Sequence, residues 1–151
     1  MTRPTLTSAL DAAEAAGLFV TWVPMADPQR GAFFLPTRTI YLREDMADAV
    51  ALPTLLHEME HARRGDDGHQ SRAVERRIDE TVAHTLITAD DYARAEAVTG
   101  ARDSGAIAVE MGVPRWVVSA YRRTLRRVRW GSSSHARCST SSRPTDSWPA
   151  G

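Results

Sequence analysis

The chain has 151 residues, a formal net charge of zero and a single cysteine. This length suits one small domain with a hydrophobic core, and one cysteine excludes a disulfide framework. No run of eighteen apolar residues is present, which excludes a membrane-spanning helix, and the first residues lack the apolar segment of a signal peptide. We therefore expect a cytoplasmic protein.

The zero net charge conceals an uneven distribution along the chain. Residues 1–110 hold eleven arginines against eighteen acidic residues, whereas residues 111–151 hold eight arginines against Asp146 alone. A basic end joined to an acidic body can bind nucleic acid, an acidic partner or the body itself.

The N-terminal part of the chain predicts one helix followed by three short strands. Residues 6–16 have a helical pattern, with Thr7 or Ser8 as the expected N-cap. Apolar and aromatic residues predict strands over residues 18–23, 32–35 and 39–42. With the helices that follow, this pattern predicts an α+β fold in which a small, mostly antiparallel sheet packs on a helical core. An edge of this sheet, within residues 32–42, is a place where an extended peptide can add as a further strand.

The next predicted helix, over residues 45–65, contains the pattern H-E-x-x-H at residues 57–61. Residues i and i+4 share one face of a helix, so His57 and His61 can grip one metal ion. Glu58, beside the first histidine, can then reach a water on that metal. The arrangement is typical of zinc proteases.

A third metal ligand is expected on the following helix, because a catalytic zinc takes three protein ligands and keeps one position open. That helix is predicted over residues 71–87, where apolar residues recur at every fourth position. Glu75 and Asp79 fall inside the apolar stripe, where a carboxylate is costly unless it is paired or bound to metal, whereas Glu80 falls at its edge or outside. We interpret Glu75 as the ligand and Asp79 as the partner of a ligand histidine's other ring nitrogen, although these roles are interchangeable. Surface ion pairs between both carboxylates and nearby arginines are the alternative.

These segments together resemble the ImmA/IrrE family of metallopeptidases, and are nearest to its short phage and actinobacterial members. The matching segments are Ile40-Tyr41-Leu42, residues 55–66, Glu75-Arg76-Arg77-Ile78-Asp79, Ala83 and Leu86-Ile87. The resemblance covers roughly residues 15–125. It implies a zincin-like core and a zinc-dependent endopeptidase that cleaves a helix-turn-helix repressor of a prophage or mobile element. The family's usual E-x-x-A-N is altered in residues 75–79, so Glu75, Asp79 and Glu80 all remain open as the third ligand.

The expected reaction is peptide hydrolysis assisted by zinc, with Glu58 as the general base that later protonates the leaving amine. An oxyanion partner is needed as well. The sequence offers Tyr92 as a candidate for this partner, whereas His84 is expected on the surface of its helix.

The C-terminal part predicts three further helices and a tail. One helix is predicted over residues 90–97, and two more over residues 106–114 and 115–129 resemble a helix-turn-helix. We expect this pair to pack on the protease body within a single domain of residues 1–130. Weak, nonspecific nucleic-acid contact is expected through five arginines, at positions 122, 123, 126, 127 and 129. The alternative is a DNA-binding or repressor-binding module whose metal site is structural or vestigial. Residues 131–151 are rich in serine, proline and threonine, which predicts a disordered tail.

Overall fold

The computed structural model describes residues 3–100 and 103–133, with side chains up to residue 127. Its elements in chain order are α1 (Leu6–Ala15), β1 (Phe19–Val23), β2 (Gly31–Phe34), a 3-10 turn (Leu35–Thr37), β3 (Thr39–Arg43), α2 (Asp48–Arg64), α3 (Arg72–Leu86), α4 (Ala89–Thr99), α5 (Ser104–Met111) and α6 (Arg115–Ser133). The predicted α+β class is confirmed.

The sheet is mixed, so the prediction of a mostly antiparallel sheet is wrong. Its strand order is β1-β3-β2, with β1 parallel and β2 antiparallel to β3. The segment between β1 and β2 carries the chain to the far edge of the sheet, and β3 then returns between the two. On β3, Ile40 and Leu42 are fully buried and belong to the core that α2 shares with the sheet. Because β3 lies between the other two strands, β2 is an edge strand of the sheet formed by the described residues.

Helix α1 begins at Leu6, as predicted, but its N-cap differs from the prediction. The N-cap is Thr5, not Thr7 or Ser8. The Thr5 hydroxyl accepts from the Ser8 backbone N–H at 3.2 Å, and the Ser8 hydroxyl accepts from the Thr5 backbone N–H at 2.9 Å. This reciprocal capping box satisfies two donors that a helix start otherwise leaves free.

Helix α2 carries the two histidines and runs without interruption through Pro53. Pro53 is buried, and the neighbouring Thr54 hydroxyl donates to the Val50 carbonyl at 2.8 Å. Gly65, with φ of 70°, ends the helix in the left-handed conformation that glycine adopts without steric cost.

Helices α3 to α6 form the other half of the molecule, in which α6 packs along α3 and α5. Thr88 caps α4 through the Asp91 backbone N–H, which makes α4 a separate helix rather than a continuation of α3. Helix α6 extends to Ser133, past residue 131, where the sequence predicts the start of a disordered tail. Residues 134–151 of that predicted tail lie outside the described residues. None of the described helices is long and apolar enough to cross a membrane.

Candidate metal centre

Three side chains from α2 and α3 converge on one point. The His57 and His61 Nε2 atoms are 3.1 Å apart, and Glu75 Oε2 lies 3.2 Å from the first and 3.6 Å from the second. The histidines stand one turn apart on α2, and Glu75 stands in the first turn of α3, which packs beside α2. These three atoms form a group that has the composition and spacing of a metal site.

The spacing of the three atoms fits zinc. Zinc takes nitrogen and oxygen ligands at about 2.0–2.2 Å in a tetrahedron, whose ligand-to-ligand edges are then about 3.3–3.6 Å. The observed separations of 3.1, 3.2 and 3.6 Å lie close to these edges.

The outer ring nitrogen of each histidine faces its own carboxylate. His57 Nδ1 lies 3.3 Å from Asp79 Oδ1, and His61 Nδ1 lies 3.0 Å from Asp66 Oδ2. A carboxylate accepts only, so each Nδ1 is assigned as the donor, and in the neutral form that binds a metal each ring presents its lone pair at Nε2. Two such lone pairs and the Glu75 carboxylate point at one another, an arrangement that a cation at the centre would stabilise.

Asp66 also lies at the candidate metal centre, although no role for it was predicted from the sequence. Its backbone N–H donates to the His61 carbonyl at 3.0 Å, because the chain turns back at Gly65 over the last turn of α2. This turn brings the Asp66 carboxylate onto the His61 ring. Desolvation raises the Asp66 pKa, but hydrogen bonds from Arg64 and His61 outweigh it and leave the pKa lowered. An acidic residue directly after Gly65, the glycine that ends α2, is the sequence feature from which this contact could have been predicted.

Asp79 contacts a histidine of α2 and an arginine of α6. Its Oδ1 faces His57, and its Oδ2 lies 3.5 Å from an Arg123 nitrogen on α6. Burial lowers the His57 pKa, but the hydrogen bond to Asp79 and the charges of Glu58, Asp79 and Glu75 raise it, and the pKa is raised overall.

Glu80, which the sequence places at the edge of the apolar stripe or outside it, is buried in the structure. Its side chain is about 9% exposed and contacts Arg123 at 3.5 Å and Arg127 at 3.2 Å. These two arginines, supplied by α6, compensate the buried carboxylate. Glu80 is not among the three residues that converge at the candidate metal centre.

Glu58 is a buried carboxylate beside the candidate metal centre. Burial and the negative charge of Glu75 raise the Glu58 pKa. The charges of His57 and His61 and a hydrogen bond from the Phe33 backbone N–H lower it, but burial is the largest effect and the pKa is raised overall. A carboxylate whose pKa lies above its usual range accepts a proton more readily, which suits a general base.

Strand β2 forms one wall of the site. A cavity of about 360 Å³ is bounded by this strand and by the side chains of Glu58 and the three candidate ligands. Gly31 packs directly against Glu58, because a Cβ at this position would lie 3.1 Å from Glu58 Oε1 and 2.8 Å from Thr54 Cγ2. Glycine is therefore the residue that lets β2 and the Glu58 side chain approach this closely.

The two residues considered for other roles lie elsewhere. The Tyr92 hydroxyl donates to Glu96 at 3.3 Å and accepts from Arg122 at 2.7 Å, and Tyr92 does not line the cavity at the candidate metal centre. His84 is exposed, as expected, and its ring packs on Tyr121.

No protein-family model matches this sequence, and a search of curated proteins gives no significant match.

Zinc affinity distinguishes the ligand from the supporting carboxylates. We expect Glu75→Ala to weaken zinc binding nearly as much as the loss of a histidine, because its oxygen lies among the converging atoms. Asp79→Ala and Asp66→Asn, which act on the outer ring nitrogens, should each weaken it by about ten- to a hundredfold. Chelator competition at one pH measures all three, since protons compete with metal for the ligands.

Glu80→Gln is the matched control for this series, since it changes a carboxylate of the same helix that faces α6 instead. Its zinc affinity should stay close to that of the wild type. If Asp79→Ala removes zinc more completely than Glu75→Ala does, the ligand is Asp79.

If Glu58 acts as the general base that the sequence predicts, Gly31→Ala should slow peptide cleavage while zinc is retained. The added methyl group meets Glu58 and Thr54 at close range and must displace one of them. A displacement of about 1 Å at a catalytic group can cost about a hundredfold in rate. Steady-state cleavage rates and zinc content of the purified variant provide the test.

Adding Thr54→Ser to Gly31→Ala removes the Cγ2 atom that is 2.8 Å from the new methyl group, but leaves the contact with Glu58. The double variant should regain the thermal stability that Gly31→Ala loses through the contact with Thr54, but its cleavage rate should remain low. Full recovery of the rate would show that Gly31 does not act through Glu58.

Proposed function

We propose that this protein is a zinc-dependent endopeptidase. The observation that carries the proposal is the convergence of His57, His61 and Glu75 with the buried Glu58 beside them. Three candidate protein ligands line an open cavity, and a catalytic zinc needs three protein ligands and one open position, whereas structural zinc sites are closed by four protein ligands.

Each residue has a definite part in this hydrolysis. Zinc held by the two histidines and Glu75 would supply a Lewis acid that acidifies a water and polarises a carbonyl oxygen. Glu58 takes the proton from the attacking water and delivers it to the nitrogen of the leaving amine. Asp79 and Asp66 hold the two imidazoles in the orientation and tautomer that binding requires.

The free edge of β2 is the proposed place for the substrate backbone. The Arg43 backbone N–H donates to the Arg30 carbonyl, so Gly31 and Phe33, which alternate with the residues bonded to β3, direct their backbone groups away from β3. The Phe33 N–H is directed at Glu58, so the Gly31 backbone groups and the Phe33 carbonyl are the ones that face this edge. An extended peptide that pairs with this edge would pass directly over Glu58. This geometry supports an endopeptidase, because both ends of such a peptide can continue past the site.

The proposed substrate is a helix-turn-helix repressor of a prophage or mobile element, in the cytoplasm. This part of the proposal rests on the resemblance of residues 55–66 and 75–79 to the ImmA/IrrE family. The cleaved segment would have to be extended in order to pair with β2.

A DNA-binding regulator is the less supported function. Arg122, Arg123 and Arg127 of α6 contact acidic or hydroxyl groups of neighbouring helices, so part of the positive charge serves internal packing. Arginines engaged in this way are less available for phosphate contacts. Any binding of DNA should then be weak, salt-sensitive and blind to sequence.

The test is cleavage of a purified helix-turn-helix repressor encoded beside this gene, with zinc content measured in the same preparation. We expect about one zinc per chain, cleavage, loss of cleavage with a chelator and its return on adding zinc. Zinc-loaded protein that leaves the repressor intact yet binds one operator at nanomolar concentration would favour the DNA-binding regulator.

A further inference from the structure

A second cavity, of about 470 Å³, lies next to the candidate metal centre. Asp79 and Trp116 line it, and both contact His57. The Trp116 ring stands edge-on to His57 with centroids 6.3 Å apart, and Asp79 faces His57 Nδ1. His57 lines the cavity that contains Glu58, whereas its two neighbours Asp79 and Trp116 line the second cavity.

The lining of this second cavity is positively charged. Arg30, Arg115 and Arg123 line it, and Asp79 is the one carboxylate among the described lining residues. Both Asp79 oxygens are already engaged, one by His57 and the other by Arg123. The cavity therefore carries an excess of cationic side chains beside a site where a polypeptide would be cut.

The arginines differ in how strongly neighbouring carboxylates hold them. Arg123 contacts Asp79 and Glu80. The ion pair of Arg115 with Asp103, at 3.1 Å, is exposed on both sides, and exposed pairs of this kind contribute little. Arg30 is exposed. Arg30 and Arg115 are thus the cations most available to a ligand.

One face of α6 supplies most of this wall. Arg115, Ser119 and Arg123 follow one another at intervals of four residues, which places them on one side of the helix. The intervening Val117 and Val118 are fully buried in the core and hold this face in place.

We propose that this cavity binds the side-chain carboxylate of a substrate residue adjacent to the bond that is cleaved. The proposal rests on the peptidase function. Arg30 directly precedes Gly31 of the β2 edge, so a peptide paired with that edge reaches the cavity as it leaves Glu58. If pairing is antiparallel, the geometry that is slightly more stable per residue, the acidic residue lies on the carboxyl side of the cleaved bond. Arginine is suited to this role because its planar fork binds carboxylates with two parallel hydrogen bonds.

A binding measurement tests the cavity without relying on catalysis. The full zinc-loaded chain is titrated with N-acetyl-glutamate amide, N-acetyl-glutamine amide and N-acetyl-alanine, while NMR follows the Trp116 indole N–H, assigned with Trp116→Phe. We expect saturable shifts with the glutamate compound and none with its glutamine counterpart. The combined Arg30→Gln and Arg115→Gln variant should lose the response, whereas Arg94→Gln, an exposed arginine of α4 paired with Asp91, should keep it.

Three results of this titration would overturn the proposal. These are equal shifts with the glutamine compound, a response that survives in the double variant, and a response to N-acetyl-alanine alone. The last would mean that the cavity accepts a terminal carboxylate rather than a side chain.

A cleavage profile on a peptide library then connects the cavity to specificity. Charge-assisted hydrogen bonds contribute about 1.5–3 kcal/mol, which corresponds to about ten- to a hundredfold in kcat/KM for a glutamate over a glutamine at one position. The double variant should lose this preference and still cut peptides. Cleavage by the wild type without any acidic preference overturns the cavity proposal alone. Glutamate-specific binding in a protein that cuts nothing overturns the peptidase function and, with it, the cavity's role in substrate recognition.

Discussion

His57→Ala and His61→Ala are each expected to remove zinc from the purified protein. Each change deletes one of the three converging ligand atoms, and the two that remain are too few to hold zinc stably. Zinc content should fall from about one per chain to near zero at micromolar protein concentrations. Elemental analysis after gel filtration measures this directly.

His84→Ala is the matched control, because His84 is an exposed histidine of α3 whose ring contacts Tyr121 rather than the candidate metal centre. This variant should keep its zinc. Circular dichroism of all three variants separates the loss of metal from the loss of fold. Unchanged zinc content in both folded α2 variants would refute the metal site.

Glu58→Gln should abolish cleavage and leave zinc and fold intact. Glutamine has nearly the same size but cannot accept the proton of the attacking water, and loss of a general base costs at least about a hundredfold in rate. Glu58 is 8% exposed and sits against Gly31, so the nearly isosteric change fits the same space. Single-turnover cleavage of the repressor, with zinc measured in parallel, is the appropriate assay.

Glu60→Gln serves as its control, because Glu60 lies two residues further along α2, pairs with Arg63 and lines a different cavity. It should cleave at the wild-type rate. A Glu58→Gln protein that cleaves as fast as the Glu60→Gln protein would contradict the role of Glu58 as the base.

The local periodicity of the chain was enough to predict which side chains could meet. The four-residue spacing of His57 and His61 places them on one face of any helix that contains both. In the same way, Glu75 and Asp79 were identified because they interrupt an apolar stripe, where a carboxylate needs a partner. In the structure both carboxylates face these histidines. Such inferences succeed because helix geometry relates sequence spacing to direction in space.

Only the tertiary structure decided the remainder, because it depends on contacts between residues far apart in sequence. The strand order β1-β3-β2 follows from how loops close and not from any strand's own pattern. Glu80 can be buried because Arg123 and Arg127 of α6, more than forty positions away in the sequence, contact it and compensate its charge. The cationic cavity beside His57 likewise exists only because α6 packs along α3 near the start of β2. Helical periodicity specifies the face of one element, whereas burial and charge compensation depend on which other element packs against that face.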